Sequence, residues 1–237
     1  MKKPLLLLAI ATMLSLSSFA QWSIGGSVGA VWDRPFLDEK KYDYFYYYSS
    51  GIVQTRRIII NNSTNEIRSI NYQIDLSVLR QLNSRWSVVS GLSFQQKGYS
   101  MLTKIGSVIK CNDWYVSLPI LAEFSFVKTK HDEIFVEAGL YAAYWCDSYR
   151  KYLTTNLFSE INNGIEKKEF NKNVDNRFEC GLIGGVGYKH HFGTKWTCFA
   201  TARYQYALTK QFKEPQTMGF LSRNNAFVFQ LGLLYNL

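Results

Sequence analysis

Eight segments of this 237-residue chain alternate apolar and polar residues with a period of two, which is the period of a β-strand. In the second segment, for example, Ile70, Tyr72 and Ile74 alternate with Asn71 and Gln73. The predicted strands are Trp22–Trp32, Ile70–Leu82, Trp86–Lys97, Trp114–Val127, Ile134–Cys146, Arg177–Lys189, Trp196–Leu208 and Phe227–Leu237. Because no apolar run beyond the N-terminus reaches the roughly 18 residues of a spanning helix, the pattern predicts an all-β protein.

The apolar face of the predicted strands carries bulky side chains, and the opposite face carries small and polar ones. At the central positions of the apolar face, all residues except Gly26, Ser90 and Gly184 are apolar, and no residue there is charged. A soluble barrel would pack its bulky apolar residues inside and turn its polar face to water. Here the face rich in glycine and serine fits a narrow interior, so lipid is expected to cover the bulky face.

Aromatic residues mark both ends of the predicted strands. One group comprises Trp22, Trp86, Phe126, Tyr188, Trp196 and Tyr235, and the other comprises Trp32, Tyr72, Phe94, Trp114, Tyr144, Phe178, Tyr206 and Phe227. The groups are separated by roughly ten residues, and tilted strands of that length cover an apolar band of about 25 Å. Since aromatic side chains favour both membrane interfaces, the two groups are expected to form girdles around a membrane barrel.

Long and short connections alternate between the predicted strands. The long ones are Asp33–Ser69, Gly98–Asp113, Asp147–Asn176 and Thr209–Ala226. This alternation is typical of an outer-membrane barrel, and an even strand number leaves no unpaired edge in lipid. The sequence therefore predicts an eight-stranded antiparallel up-and-down transmembrane β-barrel over residues 21–237, with both termini periplasmic and outer-membrane lipid as its surroundings.

The first twenty residues have the pattern of a cleaved signal peptide. Lys2 and Lys3 precede an apolar stretch from Leu5 to Leu16, and Ala20 ends a short run of small residues. Residues 1–20 are therefore expected to be absent from the mature protein. Their removal lowers the formal net charge from +9 to +7. This excess suits anionic lipid headgroups, whereas nucleic acid is not an expected partner of an exported chain.

The segment Trp114–Phe124, with the sequence WYVSLPILAEF, resembles a strand of the PorT-like outer-membrane β-barrel family of Gram-negative bacteria. More loosely, the chain is similar to the small OmpA/OmpX-type barrels. The resemblance covers nearly the whole expected mature chain and implies an outer-membrane location. It implies roles that range from secretion accessory to surface protein. Pro119 lies in the middle of this strand and removes a ladder hydrogen bond, so a β-bulge is expected there.

Strand parity places four acidic and four basic residues inside the barrel: Asp75, Lys97, Glu123, Glu137, Arg177, Glu179, Lys189 and Arg203. Eight strands leave just enough interior for side chains, so these charges are expected to pair as a plug. A narrow ion path is the alternative. If the turn between them is symmetric, Glu123 and Glu137 face each other as an acid/base pair or, more commonly, bridged by Arg203 or Lys189.

Four cysteines remain in a compartment that permits disulfides. Cys111 and Cys146 are predicted to lie in one hairpin and are the best-placed pair, with Cys146 and Cys180 as the alternative. All three histidines fall in or beside predicted periplasmic turns, which leaves none at the outer rim for catalysis. No enzymatic activity, cofactor or metal site is therefore expected.

The first long loop combines aromatic rings with cations. The candidate contact residues are Tyr42, Tyr44, Phe45, Tyr46, Tyr47, Tyr48, Arg56 and Arg57. Such a surface suits stacking on sugars or docking of a protein, although a hairpin with its rings packed on each other is an equal alternative. The predicted function is a non-enzymatic, porin-like cell-surface barrel whose loops bind a protein or glycan. An accessory role beside a secretion-machinery protein, or a narrow channel, is the alternative.

Overall fold

A computed structural model of the chain describes residues 21–36, 43–49, 52–58, 66–67, 70–102, 107–154, 164–173, 175–211 and 223–237. The expected signal peptide therefore lies outside the described residues. The strands are β1 (Trp22–Phe36), β2 (Asp43–Ser49), β3 (Ile52–Ile58), β4 (Glu66–Ile67), β5 (Ile70–Gln81), β6 (Trp86–Leu102), β7 (Ser107–Lys128), β8 (Asp132–Thr154), β9 (Gly164–Lys167), β10 (Phe178–Phe192), β11 (Trp196–Ala207) and β12 (Arg223–Asn236). No helix in the described ranges is long and apolar enough to cross a membrane.

Eight of these strands close into a barrel. The order around the ring is β10, β11, β12, β1, β5, β6, β7 and β8, and β8 pairs again with β10. Every pairing in the ring is antiparallel, so the backbone groups of one strand are bonded to the next and no edge is left open. This arrangement confirms the predicted eight-stranded, all-β barrel. Two short strands extend the sheet, since β4 pairs with β6 and β9 pairs with β8, while β2 and β3 form a separate hairpin.

The two ends of the barrel differ in their connections. The turn end holds both described termini and the short connections 82–85, 129–131 and 193–195. There the Leu237 N–H donates a 2.9 Å hydrogen bond to the Trp22 carbonyl, and Gly193 adopts a φ of 67°. The opposite end, the loop end, receives the long connections. β7 and β8 extend further at the loop end and have total lengths of 22 and 23 residues. These lengths are about twice what a strand needs to cross a bilayer.

The outer face of the barrel is apolar and the inner face is polar. Leu76 and Leu231 expose 67% and 66% of their surface on the outside. By contrast, Val31 and Val228 on the inner face are completely buried. Leaving this much apolar surface in water would be costly, so hydrocarbon is the solvent that suits the outer face.

Aromatic side chains contact each other in both predicted girdles. At the turn end, the Trp196 and Tyr235 ring centroids are 4.9 Å apart. At the loop end, Trp114 lies 4.9 Å from Phe94 and 5.3 Å from Tyr72. These rings lie on the outer face near the two ends of the predicted strands, where amphipathic rings are favoured in a membrane barrel.

Inner-face glycines make room for aromatic rings. A Cβ built on Gly187 would collide with the ring of Phe135, its partner across the ladder. A Cβ on Gly232 would collide in the same way with Phe199. The glycines that the sequence places on the inner face therefore provide space inside a narrow cylinder.

The prediction of a β-bulge at Pro119 is wrong. Pro119 pairs in regular register with Tyr141 of β8, and the register shifts of this hairpin fall at Trp114/Tyr115 and Ser125/Val127. On the β6 side, Gly91 and Leu92 have no paired residue in β7, and the ladder then resumes in the same register at Ser93–Ser117. The missing N–H therefore removes pairing without the insertion of a residue, and the Ser90 hydroxyl donates a 2.9 Å hydrogen bond to the Pro119 carbonyl.

Candidate functional site: the charged lumen

Seven of the eight predicted interior charges line the lumen. Asp75, Lys97, Glu123, Glu137, Glu179 and Lys189 are buried, and Arg203 is half-buried. Arg177 is the exception, because it precedes the first residue of β10 and its guanidinium lies against the rings of Phe170 and Tyr144, at 4.1 and 4.5 Å. The guanidinium instead donates hydrogen bonds to the Trp145 and Cys146 carbonyls of β8, at 2.9 and 3.1 Å.

The turn-end half of the lumen contains a cluster around Lys189. The Lys189 ammonium forms an ion pair with Glu123 and lies 3.6 Å from a carboxylate oxygen of Glu133. Glu133 also pairs with Lys128 at 3.2 Å and accepts a 2.6 Å hydrogen bond from the Ser125 hydroxyl. Glu133 lies outside the predicted strand because the apolar pattern starts at Ile134, whereas the ladder starts two residues earlier, at Asp132.

Glu123 and Glu137 face each other directly across the β7–β8 hairpin. Each has its own base, since Glu123 pairs with Lys189 and Glu137 forms a two-pronged ion pair with Arg203. The second contact of that fork, from the Arg203 Nη2 atom to the Glu137 Oε2 atom, is 2.9 Å. Gly185 of β10 lies in the sheet between Glu137 of β8 and Arg203 of β11. A Cβ on Gly185 would come 3.0 Å from the Glu137 carboxylate and 3.1 Å from the Arg203 side chain.

Asp75, in the middle of the barrel, is held by neutral donors. The Ser27 hydroxyl donates to it at 2.9 Å and the Gln73 amide at 2.8 Å, and the Gln230 amide donates to the same carboxylate. Three neutral donors therefore compensate this buried acid through hydrogen bonds.

The loop-end half of the lumen is organised around one ion pair. The Lys97 ammonium lies 2.6 Å from Glu179, which also accepts hydrogen bonds from the Tyr141 hydroxyl at 2.9 Å and the Asn224 amide at 3.0 Å. The same ammonium lies 4.9 Å from the centre of the Tyr115 ring, which adds a cation–π contact.

An aromatic layer covers this pair at the loop end. Trp145, only 1% exposed, stacks on Tyr115 at 6.1 Å and contacts Phe170 edge-on at 4.9 Å. Lys168 lies 4.2 Å from the Trp145 ring and forms a 2.6 Å ion pair with Asp175. The segment between β9 and β10 therefore folds across the mouth of the barrel.

Empty space in the lumen is unevenly distributed. A pocket of about 290 Å³ at the turn end is lined by residues that include Lys128, Glu133, Lys189 and His191. Deeper in the barrel a cavity has about 30 Å³, which is space for about one water molecule. Of these two spaces, the one at the turn end is therefore much the larger.

Two titratable groups at the turn end lie outside the apolar band. The hydrogen bond from the Tyr188 hydroxyl, 2.5 Å, and the contact with His190 lower the pKa of Asp132. Burial lowers the pKa of His191, whose ring lies 3.5 Å from Glu133. Within the described part of the chain, no group of three or more potential ligands could hold a metal ion.

The proposed disulfide between Cys111 and Cys146 is wrong. None of the four cysteines, all of which lie in the described ranges, forms a disulfide. Cys111 pairs across the ladder with Arg150, four residues from Cys146, so the two lie roughly 13 Å apart along the strands, beyond disulfide reach. Cys180 pairs with Ala142, again four residues from Cys146, which rejects the alternative pair as well.

The candidate contact residues of the first loop fall mostly on the β2–β3 hairpin. Tyr44–Tyr48 lie in β2, while Arg56 and Arg57 lie in β3, where they pair with Phe45 and Tyr44 in the ladder. Tyr42 lies outside the described residues.

Comparison with solved structures shows similar barrels at low sequence identity. OprG from Pseudomonas aeruginosa has a TM-score of 0.52 and 12% identity, covering 92% of this chain and 96% of its own. Neisserial surface protein A (TM-score 0.49, 9% identity, coverage 91% and 97%) and Ail of Yersinia pestis, solved with the heparin analogue sucrose octasulfate (0.40, 13%, 92% and 97%), are also similar. The OprG likeness supports the fold alone.

Sequence comparisons give the family. Curated protein sequences gave no match. A family model, described as the outer membrane protein beta-barrel domain, matches residues 19–213. Because that match covers well over half of the chain, this protein belongs to the outer membrane protein β-barrel domain family.

Proposed function

We propose that this protein is a non-enzymatic outer-membrane barrel with a closed lumen, whose loop-end strands bind a protein or glycan outside the cell. In this proposal the termini and short turns lie in the periplasm. The protein serves as a membrane-anchored platform, and transport through the lumen is not its function.

The β2–β3 hairpin carries the proposal. It lies between β1 and β5, in the connection that leaves from the loop end, and seven residue pairs hold it together from Asp43–Ile58 to Ser49–Ile52. Its first strand has the sequence DYFYYYS. A paired two-strand scaffold that concentrates tyrosine beside arginine suits stacking on sugar rings or docking on a protein surface.

The extended strands of the barrel support the same proposal. β7 and β8 continue their pairing from Ser117–Ala143 to Ser107–Thr154, beyond the loop-end girdle. Paired backbone that reaches beyond the bilayer provides a rigid base for a recognition surface.

Replacing residues 43–58 with a glycine–serine linker of the same length tests the proposal. Binding of purified protein to a glycan array, and of whole cells to a host-cell surface, is expected to fall to background, with export of other proteins unchanged. The matched control replaces β9 (Gly164–Lys167), which is also at the loop end, and should retain binding.

Two other outcomes would contradict the proposal. Failed export of other proteins, with binding intact, would indicate a secretion accessory. Single-channel steps from the unmodified protein in a planar bilayer would indicate a conducting pore.

A further inference from the structure

A pair of lysines lies on the outer face of the barrel, beyond the loop-end girdle. Lys110 of β7 and Lys151 of β8 are direct partners in the ladder, so their side chains leave the same face of the sheet. That face is the outer one, because Lys110 shares the parity of Trp114, whose ring stacks on the exposed ring of Phe94. Two ammonium groups are therefore carried side by side on the outer wall.

These two cations lack a counter-charge among the described residues. Neither side chain forms an ion pair or a hydrogen bond with any residue that the structure describes. Like charges directly opposite each other in a ladder repel and destabilise the pairing. Because an anion between the two lysines would remove that repulsion, the pair points to a negatively charged ligand.

The residues beside the pair keep this surface positive. Lys167 of β9 pairs with Tyr149, two residues nearer the girdle, and its ammonium lies 3.0 Å from Asp147. Asp147 also accepts a 2.9 Å hydrogen bond from the Tyr149 hydroxyl. In the described strands β7, β8 and β9, Asp147 is the only acid on this face from Trp114 outward. Three lysines therefore share one acid, which Lys167 already occupies.

The position of the pair matches the headgroup layer of a membrane. Lys110 lies four residues beyond Trp114, which is about 13 Å along the strand and roughly 10 Å along the membrane normal for a tilted strand. The headgroup layer extends about 5–8 Å beyond the hydrocarbon, and a lysine stem reaches several Å back toward it. The ammonium groups therefore reach the depth at which lipid phosphates lie.

We propose that Lys110 and Lys151 bind the phosphate of an anionic lipid in the loop-end leaflet. The phosphate bridges the two ammonium groups, and Lys167 adds a further positive charge beside it. A lipid is favoured over a soluble anion because the pair continues the apolar outer face, so acyl chains pass along Trp114 and Phe94 while the phosphate is held above them. The site does not rest on the β2–β3 hairpin, nor on which side of the membrane the loop end faces.

Native mass spectrometry of the folded protein in a neutral detergent tests the site, by titration with phosphatidylglycerol and with phosphatidylcholine. Phosphatidylglycerol is expected to bind at least tenfold more tightly, and its advantage should shrink as the salt concentration rises. The double variant Lys110→Gln/Lys151→Gln should lose about twentyfold in affinity for phosphatidylglycerol, since each lysine near an anionic headgroup contributes roughly fivefold. Its affinity for phosphatidylcholine should not change.

A matched variant separates the pair from net charge. Lys130→Gln/Lys195→Gln removes the same charge at exposed positions of the turn end. This control should keep the affinity for phosphatidylglycerol. An equal loss in the control, or equal affinity of the unmodified protein for the two lipids, would overturn the proposal.

Stability and competition separate a lipid site from the remaining alternatives. In phosphatidylcholine, Lys151→Gln relieves an uncompensated repulsion and should not lower the urea midpoint of the barrel, whereas in phosphatidylglycerol it should lower that midpoint. An equal decrease in both lipids would indicate a purely structural role and contradict the proposal. Displacement of phosphatidylglycerol by inorganic phosphate or by a soluble sulfated glycan at equal concentration would assign the pair to a soluble anion, and would overturn it as well.

Discussion

The two halves of the lumen are filled by different chemistry. In the turn-end half, Lys189 and Arg203 compensate buried carboxylates directly, and a pocket of about 290 Å³ lies beside them. In the loop-end half, one ion pair between Lys97 and Glu179 lies beneath a layer of rings that includes Trp145. The turn-end half therefore depends on the balance of charge, whereas the loop-end half depends on packing of rings.

Removing the central base of the turn-end half should have the largest effect. Lys189→Met leaves buried Glu123 without its ion-pair partner and weakens the contacts of Glu133, so the free energy of unfolding should fall by about 3–5 kcal/mol. Urea titration of the detergent-folded barrel, followed by its gel mobility shift, measures this. Lys130→Met, at an exposed turn position, is the control. Equal stability of the two variants would show that charge balance does not govern this half.

Truncating the ring layer should affect the loop-end half next. Trp145→Ala removes the side chain that contacts Tyr115 and Phe170, and a loss of about 3 kcal/mol is expected from the cavity it leaves. The same variant should increase ion conductance in planar bilayers, because the loop-end mouth loses its cover. Trp86→Ala, on the lipid face, should not increase conductance. A conductance increase in Trp86→Ala as well would contradict the assignment of Trp145 as the cover.

A single hydroxyl in the loop-end half should have a smaller effect. Tyr141→Phe removes the hydrogen bond to Glu179 but retains the ring, so the loss of unfolding free energy should be about 1–2 kcal/mol. Tyr72→Phe alters a hydroxyl on the outer face and should cost less. If Tyr141→Phe does not change the free energy of unfolding, then Lys97 and Asn224 are sufficient to compensate the buried Glu179 carboxylate.

The smallest expected effect lies at the turn itself. Because hydrogen bonding lowers the pKa of Asp132 below its ordinary value of 3.8, its contribution is present above that value and is lost as the pH falls through the lowered pKa. An NMR titration of the Asp132 carboxyl should have its midpoint below 3.8. Tyr188→Phe should move the midpoint upward, and an unchanged midpoint would rule out the Tyr188 hydroxyl as the cause.

The barrel and the face of most residues were predictable from the sequence. Period two fixes which residues share a face. Glu123 and Glu137 do face each other, but the turn is not symmetric about Lys130, because Lys128 pairs with Glu133 and a bulge between Ser125 and Val127 then shifts the register by one residue.

Features that depend on distant strands could not be predicted. Which base reaches which acid across the lumen depends on the stagger of all eight strands, which no local pattern encodes. Beside the girdle, Cys146 is an extra residue between the pairs Trp114–Asp147 and Tyr115–Trp145. This bulge reverses the parity of β8 beyond the girdle. It also moves the partner of Cys111 one residue along, to Arg150, but Cys146 would lie about three residues from that partner without the bulge, so sharing a hairpin was not enough to predict a disulfide.

The seam between β1 and β12 has a consequence for biogenesis. Fourteen residue pairs, from Ser23–Asn236 to Phe36–Arg223, join the first strand of the cylinder to its last. This contact spans almost the full sequence separation of the chain, so it is entropically the slowest to form. A chain in which β12 has not yet paired with β1 has two bare edges in the bilayer. Any assembly factor must therefore shield the backbone of β1 until β12 joins it.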